Sequence, residues 1–123
     1  MNEVIKFELP AEDMKRAGSF YKEVFGWNIS EFSDEYLSAD STEVDSMHMS
    51  KKVGVINGGI QKRSSRAKSP TVVIQVSDLD GVISKIKARG GKIVVEKETM
   101  EGMGHYAQFD DSEGNRIGLF QKI

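Results

Sequence analysis

The chain has 123 residues, no cysteine, 17 Lys and Arg against 19 Asp and Glu, and a net charge of −2. That length suits one domain and buries about two thirds of the unfolded surface without a covalent staple. The missing cysteines exclude thiol nucleophiles and thiolate metal sites and fit a reducing compartment, so any metal chemistry must use His, Asp or Glu.

The opening MNEVIKFELP has no basic start ahead of a long apolar stretch, and nowhere do about 18 apolar residues run together. A cytoplasmic protein with no membrane partner is expected. Val4, Ile5, Phe7 and Leu9 make a strand that Pro10 closes, after which Asp13 stands where a helix N-cap belongs. Met14, Ala17, Gly18, Tyr21, Val24 and Phe25 recur at helical spacing and form one buried stripe, ended by Gly26; Trp27-Asn28-Ile29 begins a strand. From Ser30 to Lys52 the chain is polar, with weak strand signals at Tyr36-Leu37 and from Met47 to Met49, and strand character resumes from Val53 to Gln61. Glu31 to Asp45 is acidic and reads as a flexible lid, whereas Lys51 to Lys68 is basic. A total slightly on the acid side argues against a nucleic-acid partner.

The second half is written more regularly. Val72, Ile74 and Val76 alternate with Thr71, Val73 and Gln75; Asp78 opens a helix whose Leu79, Val82, Ile83 and Ile86 face inward; Gly90-Gly91 stops it before a strand from Lys92 to Val95. His105 to Asp110 and Arg116 to Gln121 form a hairpin around Asp111-Ser112-Glu113-Gly114, a type I turn with Gly114 left-handed and Asp111 paired to Asn115. That register puts Ala107, Phe109, Ile117 and Leu119 beneath a helix and Tyr106, Gln108, Arg116, Gly118 and Phe120 on the other face.

The halves repeat each other. Asp13-Met14 returns 65 positions later as Asp78-Leu79, Tyr21 as Ile86, Gly26 as Gly91 and Ile29 as Val94. Each copy is a βαβββ unit, module one spanning about residues 1–61 and module two about 71–123, with a linker over about 62–70. The expected fold is α+β: two tandem modules forming a curved mixed sheet around a cavity, helices outside. Three strands after each helix argue against a ferredoxin-like sandwich, and the second helix argues against a cystatin-like wrap.

Asp13 to Ala17 leading through Phe20-Tyr21 to Val24-Phe25-Gly26-Trp27, Val76-Ser77-Asp78-Leu79-Asp80 through Gly90-Gly91, and Phe109 to Asn115 together resemble the glyoxalase, bleomycin-resistance and extradiol dioxygenase superfamily, also called vicinal oxygen chelate proteins. The likeness covers nearly the whole chain. It implies an inter-module cavity, a divalent ion held by four His or Glu side chains in active members, and drug binding without the ion in others. It also implies a homodimer. Carried onto this chain, the four metal positions fall at Lys6, Thr71, Gly118 and Gly58 or Gly59. None offers an imidazole or carboxylate, and a Lys ammonium would repel a divalent cation. No metal or other cofactor is therefore expected.

The cavity is expected to be lined by Lys6, Glu8, Trp27, Thr71, Val73, Gln75, Tyr106, Gln108, Arg116, Gly118 and Phe120. Glu8 shares strand parity with Lys6 and is the one candidate catalytic carboxylate, as an acceptor or base; the alternative is a plain Lys6–Glu8 pair. Arg116 needs an anionic partner, which is Glu8, Asp110 or a bound anion. His48 and His105 stand apart from any metal-binding spacing. No GxxxxGK[ST], GxGxxG or GxSxG occurs, so phosphate loops and serine hydrolysis of the usual kind are absent. The resulting expectation is a metal-free protein that binds a small, partly aromatic or carbonyl-bearing molecule. A metal-dependent lyase, isomerase or dioxygenase recruiting Glu8 and His105 is the alternative, and an accessory interaction domain with a vestigial pocket is the third.

Overall fold

The computed structural model describes residues 1–47 and 49–123. Eight strands and two helices follow in the order β1 (Glu3–Ala11), α1 (Met14–Phe25), β2 (Asn28–Ser33), β3 (Tyr36–Asp40), β4 (Asn57–Lys62), β5 (Thr71–Gln75), α2 (Leu79–Ala88), β6 (Lys92–Met100), β7 (Gly104–Asp110) and β8 (Arg116–Lys122). This is the α+β, twice-repeated βαβββ order that the sequence predicts. The chain divides into two compact units, Ile5–Pro70 and Met1–Val4 with Thr71–Ile123.

In the first unit the strands lie in the order β2-β3-β4-β1, with β1 and β4 parallel and the other neighbours antiparallel. Alternation sorts its side chains. Phe7, Leu9, Ile29, Leu37, Ala39 and Ile60 pack with Met14, Ala17 and Tyr21 of α1, leaving Lys6, Glu8, Tyr36, Ser38 and Gly59 on the helix-free face. Asp13 caps α1 by accepting from the Arg16 N–H at 2.9 Å, and Gly26 ends it at φ 72°, a conformation that costs glycine no Cβ clash.

Several boundaries differ from expectation. Pro10 does not close β1, which continues to Ala11 with Pro10 in register with Gln61 of β4. Val24 and Phe25, expected in the buried stripe, are exposed, as is Phe20, because α1 covers the sheet only with its Met14-Ala17-Tyr21 side. The polar stretch from Glu31 to Asp45 is no simple lid: it contributes the end of β2 and all of β3, and Ser38, Ala39 and Asp40 are buried. Val53 and Ile56 are exposed, and β4 starts only at Asn57. Asn57 fixes that start, its Oδ1 accepting from the backbone N–H groups of Ser41 at 2.8 Å and Thr42 at 3.2 Å. Among the described residues no strand forms around Met47, which lies in a turn; His48 lies outside them.

The second unit repeats the plan as β5-β8-β7-β6, with β5 and β8 parallel. Val76, Leu79, Ile83, Ala107 and Leu119 form its core, joined by Ile74, Val82, Ile86, Ile93 and Phe109. Asp78 caps α2 through the Gly81 N–H at 3.1 Å, and the Leu79 N–H is satisfied by Gln121 Oε1 at 2.7 Å. β6 runs on to Met100, past the expected Val95, bulging twice against β7.

The β7–β8 turn forms as the sequence predicts. Asp110 pairs with Arg116, the Asp111 N–H donates to the Asn115 carbonyl at 2.9 Å, and Gly114 takes φ 83°. Asp111 Oδ1 accepts from the Glu113 N–H at 2.8 Å and the Asn115 N–H at 2.9 Å, while the Asn115 amide reaches Oδ2 at 3.1 Å. These bonds, the Asn115 backbone foremost, hold the Asp111 carboxyl below its ordinary pKa. No helix among the described residues is long and apolar enough to cross a membrane.

Candidate functional site

The helix-free face of the first unit is built where β1, β4 and β3 run side by side. Glu8 is in register with Gly59, and Gly59 with Ser38. Glu8 is 4 % exposed and Ser38 6 %, so the carboxylate and hydroxyl both lie away from water. Lys6 Nζ stands 3.8 Å from Glu8 Oε2 and 5.4 Å from the centre of the Tyr36 ring. The pair expected from strand parity is formed, with an added cation–π contact. Glu8 thus belongs to a charged cluster on this face.

Gly59 is bare for a reason of space. A β-carbon there would overlap the phenol of Tyr36, which lies across the glycine. Its neighbour Gly58 faces the other way, beneath the Phe7 ring and carbonyl.

The corresponding face of the second unit carries the remaining expected residues except Trp27. Val73 is in register with Gly118 and Gln75 with Phe120 across β5 and β8, while Gln108 is in register with Gly118 and Tyr106 with Phe120 across β7 and β8. Val73, Thr71 and Gln108 are buried. Gln108 Nε2 donates to the Tyr106 hydroxyl at 2.8 Å, and no donor among the described residues reaches the buried Gln108 Oε1. At Gly118 a β-carbon would sit 3.1 Å from the Tyr106 hydroxyl and 3.1 Å from Val73 Cγ2. The two units therefore share one device, a tyrosine of the third strand laid against a glycine of the fourth.

The registers also fix which glycine of the first unit corresponds to Gly118. Glu8 and Val73 are repeat mates, and they pair with Gly59 and Gly118 respectively. Gly59, rather than Gly58, is the counterpart.

The other expected residues separate. Trp27 stacks on Tyr21 at 4.8 Å between ring centres and lies 5.3 Å from Phe7, within the apolar layer beneath α1 and opposite Lys6 and Glu8. Arg116 finds its anionic partner in Asp110, with Nε donating to Oδ1 at 2.7 Å. His105 is directed to Thr99, its Nδ1 2.9 Å from Oγ1, on the strand face opposite Tyr106 and Gln108. Two open grooves were not foreseen. One, about 570 Å³, runs along the chain ends past Gln75 and Gln121. The other, about 380 Å³, lies between α1 and β2, lined by Gly18, Ile29 and Leu37 together with Lys15, Lys22, Glu31 and Asp34. Their rims are mostly exposed, and neither holds a buried unpartnered polar atom.

Sequence reasoning missed Tyr36. The signal was there in Tyr36-Leu37-Ser38 against Tyr106-Ala107-Gln108, but this pair of segments is 70 residues apart, not 65.

Residues 4–119 match the sequence profile of the glyoxalase/bleomycin resistance protein/dioxygenase superfamily. The chain belongs to this superfamily. Among solved structures, it is similar to a superfamily member from Vibrio splendidus 12B01 at 15 % identity and TM-score 0.65, with 100 % of both chains covered. A methylmalonyl-CoA epimerase shares 15 % identity at TM-score 0.63, covering 97 % of this chain and 92 % of that one. Homoprotocatechuate 2,3-dioxygenase from Arthrobacter globiformis shares 16 % at TM-score 0.69, covering 97 % of this chain and 35 % of its own. No curated protein matches the chain.

The resemblance to the superfamily implies a divalent ion in its active members, and the four positions it assigns to that ion do not fit one. Lys6, Thr71, Gly59 and Gly118 supply no carboxylate or imidazole, and a phenol lies against each glycine. Among the described residues no three His, Asp or Glu side chains are grouped to hold a metal.

Proposed function

We propose that this superfamily member is a metal-free binder of a small, partly aromatic or carbonyl-bearing molecule, held by residues of the helix-free sheet faces. The observation that carries the reading is the polar character of buried positions within each unit: Glu8 and Ser38 on the face that holds Tyr36, and Thr71 and Gln108 on the face that holds Tyr106, Val73 and Phe120. A face needed only for packing would bury apolar side chains, since each buried polar group costs stability unless it is paired. Trp27 supports the first-unit sheet from beneath. Binding is the activity assigned; Glu8, held by Lys6, orients a ligand donor or takes up a proton.

Thermal shift against a fragment library, with native mass spectrometry of the purified protein, tests the proposal. A ligand at 100 times its Kd stabilises by about 2.7 kcal/mol, and Gln108→Ala or Lys6→Ala lowers that gain. Incubation with Zn²⁺, Ni²⁺, Mn²⁺ and Fe²⁺ followed by metal analysis yields no stoichiometric uptake. Uptake abolished by Glu8→Gln would overturn the reading in favour of a metal-dependent enzyme.

One observation favours a second reading, an interaction domain: α1 exposes Phe20, Val24 and Phe25 side by side on one end of the helix. The same surface supports a homodimer. Light scattering with and without Phe20→Ser and Phe25→Ser separates a dimer from a monomer.

A further inference from the structure

The helix-free face of the second unit contains a polar atom that the fold leaves unused. Gln108 is 3 % exposed, its Nε2 is committed to the Tyr106 hydroxyl at 2.8 Å, and its Oε1 is closed off from water with no donor among the described residues. An amide oxygen buried in this way forfeits the hydrogen bonds it made to water in the unfolded chain. A methionine of similar length would fill the position without that penalty. Such groups are retained where a function uses them, at the expense of stability.

The surroundings define what would complete it. Gly118 faces Gln108 across β8 and Val73 lies beyond it on β5, so the amide stands beside a strand position that has no side chain. Phe120 adjoins Tyr106 on the same face. Of the ionic groups on this face, Arg116 and Asp110 neutralise one another at 2.7 Å, and Glu98 is in register with Tyr106 at the sheet edge.

We propose that Gln108 is the recognition residue of the ligand site, its Oε1 accepting a hydrogen bond from a neutral N–H or O–H donor on a small, otherwise largely apolar ligand. Tyr106 is the positioning residue: its hydroxyl holds the Nε2 end of the amide and leaves Oε1 to be offered. The inference rests on the small-molecule reading above and adds the chemical class of the ligand. A charged ligand is disfavoured, because the ion pair in reach is already satisfied and the amide is uncharged.

Two measurements test it. Gln108→Met in the ligand-free protein raises Tm by about 3–5 °C, the shift expected from removing one orphaned polar atom in a domain of this size; a fall in Tm would mean that the fold itself satisfies Oε1, and would overturn the proposal. Matched probes give the second: benzamide against N,N-dimethylbenzamide, and phenol against anisole, followed in wild type and variant through the backbone amide resonances of β7 and β8. The donor-bearing member of each pair binds at least tenfold more tightly, and Gln108→Met erases the preference. Equal binding within the pairs, or preference for the methylated member, overturns the role of Gln108 and leaves the small-molecule reading intact. Binding by no probe overturns both.

Discussion

The two repeat units share strand order, an Asp cap at each helix and a tyrosine against a glycine, yet they fill their helix sides differently. In the first, the large Phe7 ring lies over the bare Gly58; the repeat mates of these residues in the second are the mid-sized Val72 and Ile117. Bulk has been moved from one strand to its neighbour while the layer stays filled, which is what close packing allows when total volume is kept. The helices diverge as well: α2 buries Leu79 completely and Ile83 nearly so, whereas α1 buries only Gly18 and leaves Phe20, Val24 and Phe25 exposed. Shared topology therefore coexists with separate packing solutions, and the buried residues of the helix-free faces differ within it, Glu8 and Ser38 in one unit against Val73 and Gln108 in the other.

The sharpest test of the helix contrast is a pair of truncations. Leu79→Ala should cost about 2–5 kcal/mol in urea unfolding, since it empties a fully buried site, while Val24→Ala on the exposed end of α1 should cost less than about 0.5 kcal/mol. Equal losses would abolish the distinction drawn between the helices. Next in size is Gly58→Ala, where the new methyl meets the Phe7 carbonyl and ring; about 1–3 kcal/mol is expected. Gly118→Ala, with 3.1 Å to its nearest neighbours, should cost less, and measuring both by chemical denaturation ranks the two fourth strands.

The caps should behave alike. Asp13→Ala and Asp78→Ala are each expected to lose about 1 kcal/mol, and a large inequality between them in thermal unfolding would show that helix starts, like helix faces, differ between units.

The smallest effect concerns Asp111, present in the second unit only because its third and fourth strands join through a tight turn. Its folded pKa is depressed by the Asn115 and Glu113 N–H donors. Stability from this carboxylate is therefore complete above the unfolded value of about 3.9 and is lost as pH falls through the lower folded value. Tm of wild type and Asp111→Asn compared across pH should differ most near neutrality and converge under strong acid. A gap that widened on acidification would contradict the sign.

Much of this architecture was legible because it is local. Asp13 and Asp78 announce helix starts, Gly26 and Gly114 announce backbone that turns left-handed, and Val72-Val73-Ile74-Gln75 announces a strand, each through interactions spanning a few residues. The Asp111–Asn115 register followed from its turn and correctly sorted Ala107, Phe109 and Leu119 from Tyr106, Gln108 and Phe120. In the first unit the corresponding strands join through residues 41–56, where no turn type sets register, so the extent of β3 beyond Tyr36-Leu37 and the late start of β4 escaped the pattern. Unequal loops also explain why Tyr36 went unnoticed: the repeat slips from 65 residues at the helices to 70 at the third strands. Trp27 was misread as a cavity aromatic because strand parity alone cannot say that the residue just after Gly26 turns back onto Tyr21.

By itself, then, the sequence determined the duplicated βαβββ order, the helix caps and the second hairpin's register, all properties of residue type and short spacing. Tertiary structure alone decided which hydrophobic residues α1 leaves in water, that Tyr36 and Tyr106 lie against Gly59 and Gly118, that Asp110 takes Arg116, and that Gln108 is buried with one end of its amide unused. Those outcomes depend on contacts between strands distant in sequence, where burial and volume are set by neighbours that no local pattern names.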